Sequence, residues 1–265
     1  CDRKAFRRVL EEVSRLLPKK PSLDVLKYVR LSTEGERLWV VGTDLERWAI
    51  LSCACRGALP EPRLVPAILL GKYLKAATDA LIRLRLDGEH LVATAGKAST
   101  KLKTLASGEF ARMPVTLPVV VPPRAVEGAL LCAAVKAVAP CMENDETKPH
   151  LCAVDMEPLR GAATVGHPVP VLGKGLFKLR ACTGHRGAWV FAPLPTQLPA
   201  ITLPRPSVSV LSRRSPLCKL AWEEGVLSVY EAGGVFRVPT GDHATFPPLD
   251  NIVGPLAERE RVELP

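Results

Sequence analysis

The chain has 265 residues, of which 47% are apolar and 24% are charged, a balance that excludes a disordered polymer. Lys and Arg outnumber Asp and Glu by 36 to 27, which gives a net charge of +9 and permits an anionic partner. The longest apolar run, residues 129–135, is far shorter than the roughly 18 residues of a membrane-spanning segment. No charged-then-apolar leader opens the sequence, so we expect a soluble cytoplasmic protein of one large or two medium domains.

The N-terminal segment has the apolar spacing of an amphipathic helix. Pro18 is expected to end this helix. Charged residues of both signs occupy the opposite face, where i,i+4 pairs such as Arg8 with Glu12 would stabilise it. The apolar stripe consists of Phe6, Val9, Leu10, Val13, Leu16 and Leu17.

Short strands and a second helix follow in the first half. Pro66 lies near the first turn of this helix, where its missing N–H costs least. Glu34-Gly35-Glu36 and Asp87-Gly88-Glu89 are typical turns between strands. The predicted elements are strands over 25–32, 37–42 and 48–55, a helix over 67–77, and strands over 81–86, 91–95 and 99–105.

The same order of elements recurs after a Pro-rich stretch at 117–123, which we interpret as a strand in a connection. The end of the first half, Gly108 to Pro114, also resembles the end of the second, Gly241 to Pro247. The predicted elements are a helix over 123–138, a charged loop at 143–148, strands over 151–155, 159–164 and near 170, a helix over 206–214, and strands over 217–222, 226–231 and 235–239.

This duplication predicts an α+β fold of two similar domains, each with two helices on an antiparallel sheet. The period, roughly 120 residues, is too long for a solenoid repeat. We place the first domain at residues 1–116, the second at 117–255 and a C-terminal tail at 256–265.

The sequence carries no strong enzyme motif. It contains no phosphate-binding Gly-x-x-x-x-Gly-Lys-Ser/Thr loop, no Gly-x-Gly-x-x-Gly, no Gly-x-Ser-x-Gly and no His-Glu-x-x-His. Cys182 and His185 could bring a thiol and an imidazole together, with Cys152 or His150 completing a metal site. Four ligands at structural-zinc spacing are not visible. We therefore predict a protein without catalytic residues, metal or cofactor, and keep a thiol or metal enzyme around Cys182 and His185 as an alternative.

Several short motifs resemble one family when they are taken in order. The segment ending in Thr43-Asp44-Leu45-Glu46 is similar to the first domain of the bacterial DNA polymerase III beta subunit, the sliding clamp. Val65-Pro66-Ala67 resembles the start of that family's second helix. In the second half, Asn144 to Val154 and Phe246-Pro247-Pro248-Leu249 resemble two further clamp segments. The resemblance extends from about Phe6 to Pro255.

The resemblance implies a processivity fold and a ring of six domains around duplex DNA. A bacterial clamp subunit has three such domains, whereas this sequence contains two repeats, so three copies would supply six and a homotrimer is expected. The implied partners are double-stranded DNA, a DNA polymerase and a clamp loader. The residues that we expect to hold DNA phosphates are Arg7, Arg15, Lys19, Lys20, Lys72, Lys75, Lys136, Lys148, Arg213 and Arg214.

The family also binds short peptides in an apolar groove between its second and third domains. The segment Thr164 to Val169 keeps the Thr, Gly and His of the family's groove segment and lacks its Asp and Arg. An alternative to the ring is a clamp-derived adaptor or regulator that binds replication proteins without closing. The predicted groove residues are Leu151, Thr164, Gly166, His167, Pro247 and Ile252.

Overall fold

Helices and antiparallel strands make up most of the computed structural model, which describes residues 1–122, 125–159, 174–183, 185–214 and 217–247. The chain divides into two compact units. The first contains Cys1–Gly128 and Leu217–Pro239, and the second contains the described residues of Ala129–Pro216 and Thr240–Pro265. The predicted α+β class is confirmed.

The first half of the chain folds into two α-helices and eight strands within its described residues. The helices are α1 (Arg3–Ser14) and α2 (Ala67–Ala76). The strands are β1 (Tyr28–Glu34), β2 (Arg37–Thr43), β3 (Trp48–Ala54), β4 (Arg63–Pro66), β5 (Arg83–Asp87), β6 (His90–Ala95), β7 (Ala98–Lys103) and β8 (Leu105–Ala106).

The second half repeats this order, after a short additional strand. Its helices are α3 (Ala129–Val138) and α4 (Arg205–Leu211). Its strands are β9 (Val126–Glu127), β10 (Ala153–Pro158), β11 (Lys174–Cys182), β12 (Gly187–Pro195), β13 (Ile201–Pro204), β14 (Lys219–Glu223), β15 (Val226–Glu231), β16 (Gly234–Pro239) and β17 (Gly241–Asp242).

Unit 1 contains a nine-stranded antiparallel sheet in the order β8-β4-β1-β2-β3-β16-β15-β14-β9. A smaller sheet of the same unit has the order β5-β6-β7. Strands from both halves of the sequence therefore share one sheet through the pairing of β3 with β16.

Helix α1 covers one face of the large sheet. The Asp2 carboxylate caps its N-terminus by accepting a hydrogen bond from the Ala5 N–H at 2.7 Å. Phe6 and Val13 of this helix are fully buried. A Cβ at Gly42 on β2 would lie 2.5 Å from Val13 Cγ1, so only glycine permits this close approach of helix and strand.

An aromatic cluster fills the opposite face of this sheet. Trp48 and Phe110 meet edge to face at 87°, with ring centroids 6.0 Å apart. Trp39 and Tyr230 are buried in the same cluster. Alternate side chains of residues 111–119 pack onto it, which closes this side of unit 1.

Unit 2 contains a five-stranded antiparallel sheet in the order β12-β11-β10-β13-β17. Helices α3 and α4 pack on one face of this sheet. Buried Phe177 and Leu179 alternate along β11 with Lys178 and Arg180, which point to the other face. One face of the sheet therefore forms the apolar core and the other carries charged side chains.

Two of the predicted elements are wrong. The helix predicted from 123 begins at Ala129, because Val126 and Glu127 pair with β14 and the Gly128 N–H donates to Cys218 O at 2.9 Å. The strand predicted over 117–123 is absent from its described part, residues 117–122. The alternation of apolar residues there reflects packing on the aromatic cluster, not strand pairing.

Strands β11 and β12 were not predicted, although β11 has clear period-2 patterning. The strand predicted over 159–164 lies outside the described residues except for Leu159, and so does the strand predicted near 170. The compact units do not coincide with the predicted domains at 1–116 and 117–255, since β14 to β16 join the sheet of unit 1. The domain boundaries at 1–116 and 117–255 therefore remain a prediction, which describes the two sequence repeats and not the compact units.

Candidate functional site

Helix α1 presents basic side chains to solvent. Lys4, Arg8 and Arg15 are exposed, and their spacing of four and seven residues places them on one side of the helix. They lie opposite the side that buries Phe6 and Leu10. Lys4 and Arg8 were not among the residues predicted to hold DNA phosphates. Their i,i+4 spacing outside the apolar stripe could have indicated that they share one exposed side of the helix.

Two of the predicted basic residues on α1 form ion pairs. Arg7 Nε lies 2.7 Å from Glu11 Oε1, and Arg15 pairs with Glu12. Exposed pairs of this type contribute only about 0.3–0.5 kcal/mol. Such pairs are weak enough to exchange with a phosphate ligand, but they reduce the local positive charge of this helix.

Helix α2 packs beside α1 and contributes two exposed lysines. Leu70 and Leu74 are buried, which fixes the orientation of the helix. Lys72 and Lys75 lie on its exposed side. The predicted pair of cations is therefore presented by one rigid element of unit 1.

Unit 2 also carries predicted basic residues on or beside its helices, but fewer of them are exposed. Lys136 is exposed on α3, and Arg213 is exposed just after α4. Arg214 is half-buried, and its Nε donates to the Val210 carbonyl at 2.9 Å, so its side chain partly satisfies the end of α4. Of these three predicted residues, Lys136 and Arg213 are the more accessible.

The remaining predicted cations lie in loops. Lys19 and Lys20 follow α1, and Lys148 lies between α3 and β10. All three side chains are exposed. The structure thus distributes the ten predicted basic residues over the helices and loops of both units and does not concentrate them in one pocket.

Only two of the predicted groove residues fall within the described part of the chain. Leu151 and Pro247 are half-buried in unit 2. Thr164, Gly166, His167 and Ile252 lie outside the described residues. The groove therefore stays a prediction.

An ion-pair network that sequence analysis missed lies on the charged face of the unit 2 sheet. Asp155 is completely buried, and its Oδ2 accepts a hydrogen bond from Arg180 Nε at 2.8 Å. His243 Nδ1 lies 2.6 Å from Asp155 Oδ1, and its Nε2 lies 3.1 Å from Glu157 Oε2. The Arg180 guanidinium also stacks over Phe246 at 5.5 Å.

The network links strands β10 and β11 to the turn after β17. Burial raises the pKa of Asp155 above its ordinary value, and His243 and Arg180 oppose this increase. The ligand atoms of Asp155, Glu157 and His243 lie within 4.8 Å of one another, as a metal site would require. Arg180 contacts both carboxylates, however, and would repel a divalent cation, so the geometry fits an ion-pair network better than a metal centre.

The thiol alternative receives no support from the geometry. Cys182 is 5% exposed at the end of β11, and burial raises the pKa of its thiol, which suppresses the reactive thiolate. The His185 side chain is exposed, and the backbone N–H of His185 donates to Thr183 Oγ1 at 3.1 Å as part of the β11–β12 turn. This arrangement fits a β-hairpin turn.

No helix in the described part of the chain is long and apolar enough to cross a membrane.

The first half of the chain resembles known proteins in sequence. Residues 1–114 match the family model of the N-terminal domain of the DNA polymerase III beta subunit. The beta sliding clamp of Pseudomonas putida is 32% identical over 114 residues, which are 41% of this chain and 30% of that protein. The beta sliding clamp of Micrococcus luteus is 27% identical over 144 residues, 54% of this chain and 46% of that protein. The chain therefore matches less than half the length of these relatives.

The fold is similar over nearly the whole chain. Caulobacter crescentus pol III beta aligns with a TM-score of 0.78 at 20% identity, covering 95% of this chain and 68% of that one. The beta subunit of Thermotoga maritima DNA polymerase III aligns with a TM-score of 0.75 at 20% identity, covering 95% and 66%. These findings confirm the sliding-clamp fold and the family resemblance.

Proposed function

We propose that the protein is a sliding clamp that encircles duplex DNA, starting from the match of residues 1–114 to the family model of the N-terminal domain of the DNA polymerase III beta subunit. The observation that carries the proposal is the set of exposed basic side chains on helices of both units. Lys72 and Lys75 on α2 and Lys136 on α3 exemplify it. No catalytic step is part of the proposal.

The chemistry of these residues suits loose phosphate contact. Lysine and arginine bind the DNA backbone without reading base sequence. Exposed cations on separate helices would make many weak contacts, so a ring would be retained on DNA by its closed topology and would still slide. Each chain carries a net charge of +9, so the positive electrostatic potential around the DNA would increase with each added copy.

The proposed ring consists of three copies with six domains. A closed head-to-tail assembly of identical chains satisfies every interface, whereas an open one would extend into a filament. The proposed partner on the ring is a DNA polymerase, and a loader would open it. Tethering would raise the effective concentration of the polymerase at its template.

The proposed groove for a partner peptide lies in unit 2, near Leu151 and Pro247. Both side chains are half-buried, so each retains exposed apolar surface.

Light scattering on a sizing column tests the ring directly. We expect about three times the chain mass of 28.6 kDa at micromolar protein. The assembled protein should then be retained on circular DNA and lost from the ends of linearised DNA. A mass of one chain at every concentration would contradict the self-closing ring and favour the adaptor.

A further inference from the structure

The two halves of the chain carry equivalent turns beside equivalent strands. The five-stranded order β8-β4-β1-β2-β3 of the first half corresponds to β17-β13-β10-β11-β12 of the second. A short 3₁₀ turn follows β8 at Ser107–Glu109, and another follows β17 at His243–Thr245. A buried phenylalanine comes directly after each turn, Phe110 in the first half and Phe246 in the second. The first residues of the two turns therefore occupy equivalent positions.

The register of the strands beside these turns is also equivalent. Tyr28 on β1 pairs with Pro66 directly before α2, and Ala153 on β10 pairs with Pro204 directly before α4. Counted from these pairs, position 30 on β1 is equivalent to position 155 on β10. The strand partners of these two positions make position 41 on β2 equivalent to position 180 on β11.

The chemistry at these equivalent positions differs between the halves. In unit 1, Val41 on β2 belongs to the apolar cluster that also contains Phe110. Its equivalent in unit 2 is Arg180, whose guanidinium carbon lies 5.5 Å from the ring centroid of Phe246. The turn of the first half therefore packs on apolar side chains, whereas the turn of the second half packs on charged ones.

His243, the first residue of the second turn, contacts a carboxylate with each of its ring nitrogens. Nδ1 lies 2.6 Å from Asp155 Oδ1, and Nε2 lies 3.1 Å from Glu157 Oε2. An ionised carboxylate only accepts hydrogen bonds, and a neutral imidazole has a single N–H to donate. Both contacts are therefore hydrogen bonds only when the three side chains hold one proton in addition to that N–H.

This additional proton is shared by the cluster of Asp155, Glu157 and His243. It can reside on the imidazole or on Asp155, because these two groups lie within one hydrogen bond of each other. Burial raises the pKa of Asp155, and this effect favours the proton-bound cluster. Without the additional proton, a nitrogen lone pair faces a carboxylate oxygen in one of the two contacts.

Neighbouring charges act on the cluster in both directions. Arg180 on β11 donates to Asp155 Oδ2 and lies 3.4 Å from Glu157 Oε1. Lys178 on the same strand lies opposite Glu157 in the ladder. These two cations favour ionised carboxylates and oppose proton binding. Asp242 adjoins the histidine in the chain, and its negative charge favours proton binding.

We propose that Asp155, Glu157 and His243 form a pH-sensitive switch that holds the turn at residues 243–246 on strand β10 while the additional proton is bound and releases this turn when the proton is lost. Because the folded cluster favours the bound proton, the stabilisation is present at acidic pH and is lost as the pH rises through the range in which histidine titrates, about 5 to 8. Release exposes the ring of Phe246 and removes its contact with Arg180. The switch is independent of DNA binding and of ring closure.

Amide hydrogen exchange measured by mass spectrometry tests the switch. The Phe246 N–H donates to His243 O at 3.0 Å, and the Ala244 N–H donates to Asp242 Oδ1 at 2.9 Å, so both amides report on the turn. We expect the protection of a peptide covering residues 240–247, corrected for intrinsic exchange rates, to fall roughly tenfold or more from about pH 6 to about pH 8. A hydrogen bond to a charged group contributes a factor of about that size.

The equivalent turn of the first half is an internal control. Ser107 stands there in the position of His243, and the Phe110 N–H donates to Ser107 O at 3.2 Å. The corrected protection of this turn should be the same at both pH values. His185→Gln is the control variant, because it removes an exposed histidine of unit 2 and should keep the pH dependence of residues 240–247.

The variant that tests the switch itself is His243→Gln, which keeps one donor and one acceptor but cannot bind the additional proton. We expect its corrected protection at residues 240–247 to be the same at both pH values. Glu157→Gln removes one of the two negative charges and should reduce the pH dependence, which keeps the proposal testable if His243→Gln does not fold. Equal protection at both pH values in the unmodified chain would overturn the proposal, and so would a pH dependence that persists in folded His243→Gln.

Discussion

Arg180 is the residue that holds the charged face of unit 2 together. It donates to buried Asp155, lies 3.4 Å from Glu157 and stacks on Phe246. The two carboxylates share one permanent cation, Arg180, so its removal leaves buried Asp155 without its guanidinium partner. A buried carboxylate without its partner is costly, which makes this network a sensitive point of the fold.

We predict that Arg180→Met lowers the free energy of unfolding by about 3–5 kcal/mol, because Asp155 then remains buried without its guanidinium partner. Urea denaturation followed by circular dichroism measures the change. Arg186→Met is the matched control, since Arg186 is exposed, and should stay within about 0.5 kcal/mol of the unmodified chain. Adding Asp155→Asn to Arg180→Met should recover part of the loss. Equal effects of Arg180→Met and Arg186→Met would contradict this account.

At the scale of elements, helices position the cations that we assign to DNA. Leu70 and Leu74 anchor α2 on its sheet, so the exposed side of the helix is fixed by packing. The two basic residues after α4 differ in accessibility, because Arg213 is exposed whereas Arg214 donates a hydrogen bond to the end of its own helix. Apart from Arg214, the charged side chains of these elements are exposed and lie outside the apolar core, so their charge can be reversed without loss of that core.

We predict that substituting Glu for Lys72, Lys75, Arg213 and Arg214 abolishes most retention on circular DNA while the assembled mass stays unchanged. The reason is that phosphate contact requires positive charge whereas the apolar anchors remain. Retention and light scattering are measured on the same samples. A control with the same charge change substitutes four exposed residues away from the helices, and it should retain DNA. Equal retention by both variants would remove the first set from the DNA site. The first set is Lys72, Lys75, Arg213 and Arg214, and the control set is Arg56, Arg85, Arg112 and Lys219.

At the scale of the whole molecule, net charge and closure act together. A single chain carries +9, and three copies would triple this charge around the DNA. The proposed ring would therefore surround the DNA with the positive charge of every copy.

We predict that affinity for short linear DNA falls steeply with salt, because phosphate binding releases condensed counterions. A plot of log affinity against log salt concentration should be linear, with a slope of about −0.9 for each phosphate contact. The four-residue reversal on the helices should flatten this slope, whereas its control set should not. A salt-independent affinity would contradict backbone binding.

The sequence alone determined the elements that local pattern specifies and the family that they resemble. The period of the apolar residues predicted α1, Pro66 predicted the start of α2 and Gly88 predicted a turn between strands, because these signals act over a few residues. The order of several short motifs along the chain, from Thr43-Asp44-Leu45-Glu46 to Phe246-Pro247-Pro248-Leu249, indicated the resemblance to sliding clamps. The sequence also predicted that Lys72, Lys75 and Lys136 are exposed, since a long charged side chain on a helix seldom lies in a core.

Only the tertiary structure decided which strands meet. The pairing of β3 with β16 joins residues about 180 positions apart, and no local pattern encodes a partner at that distance. The same holds for the contact of Asp155 with His243, where a carboxylate in an apolar strand gains its partner only after folding. Residues 117–122 alternate like a strand but pack as a covering segment, because alternation reports burial on one side and not hydrogen bonding. Periodicity fixes which side chains are buried, and the fold fixes what they are buried against.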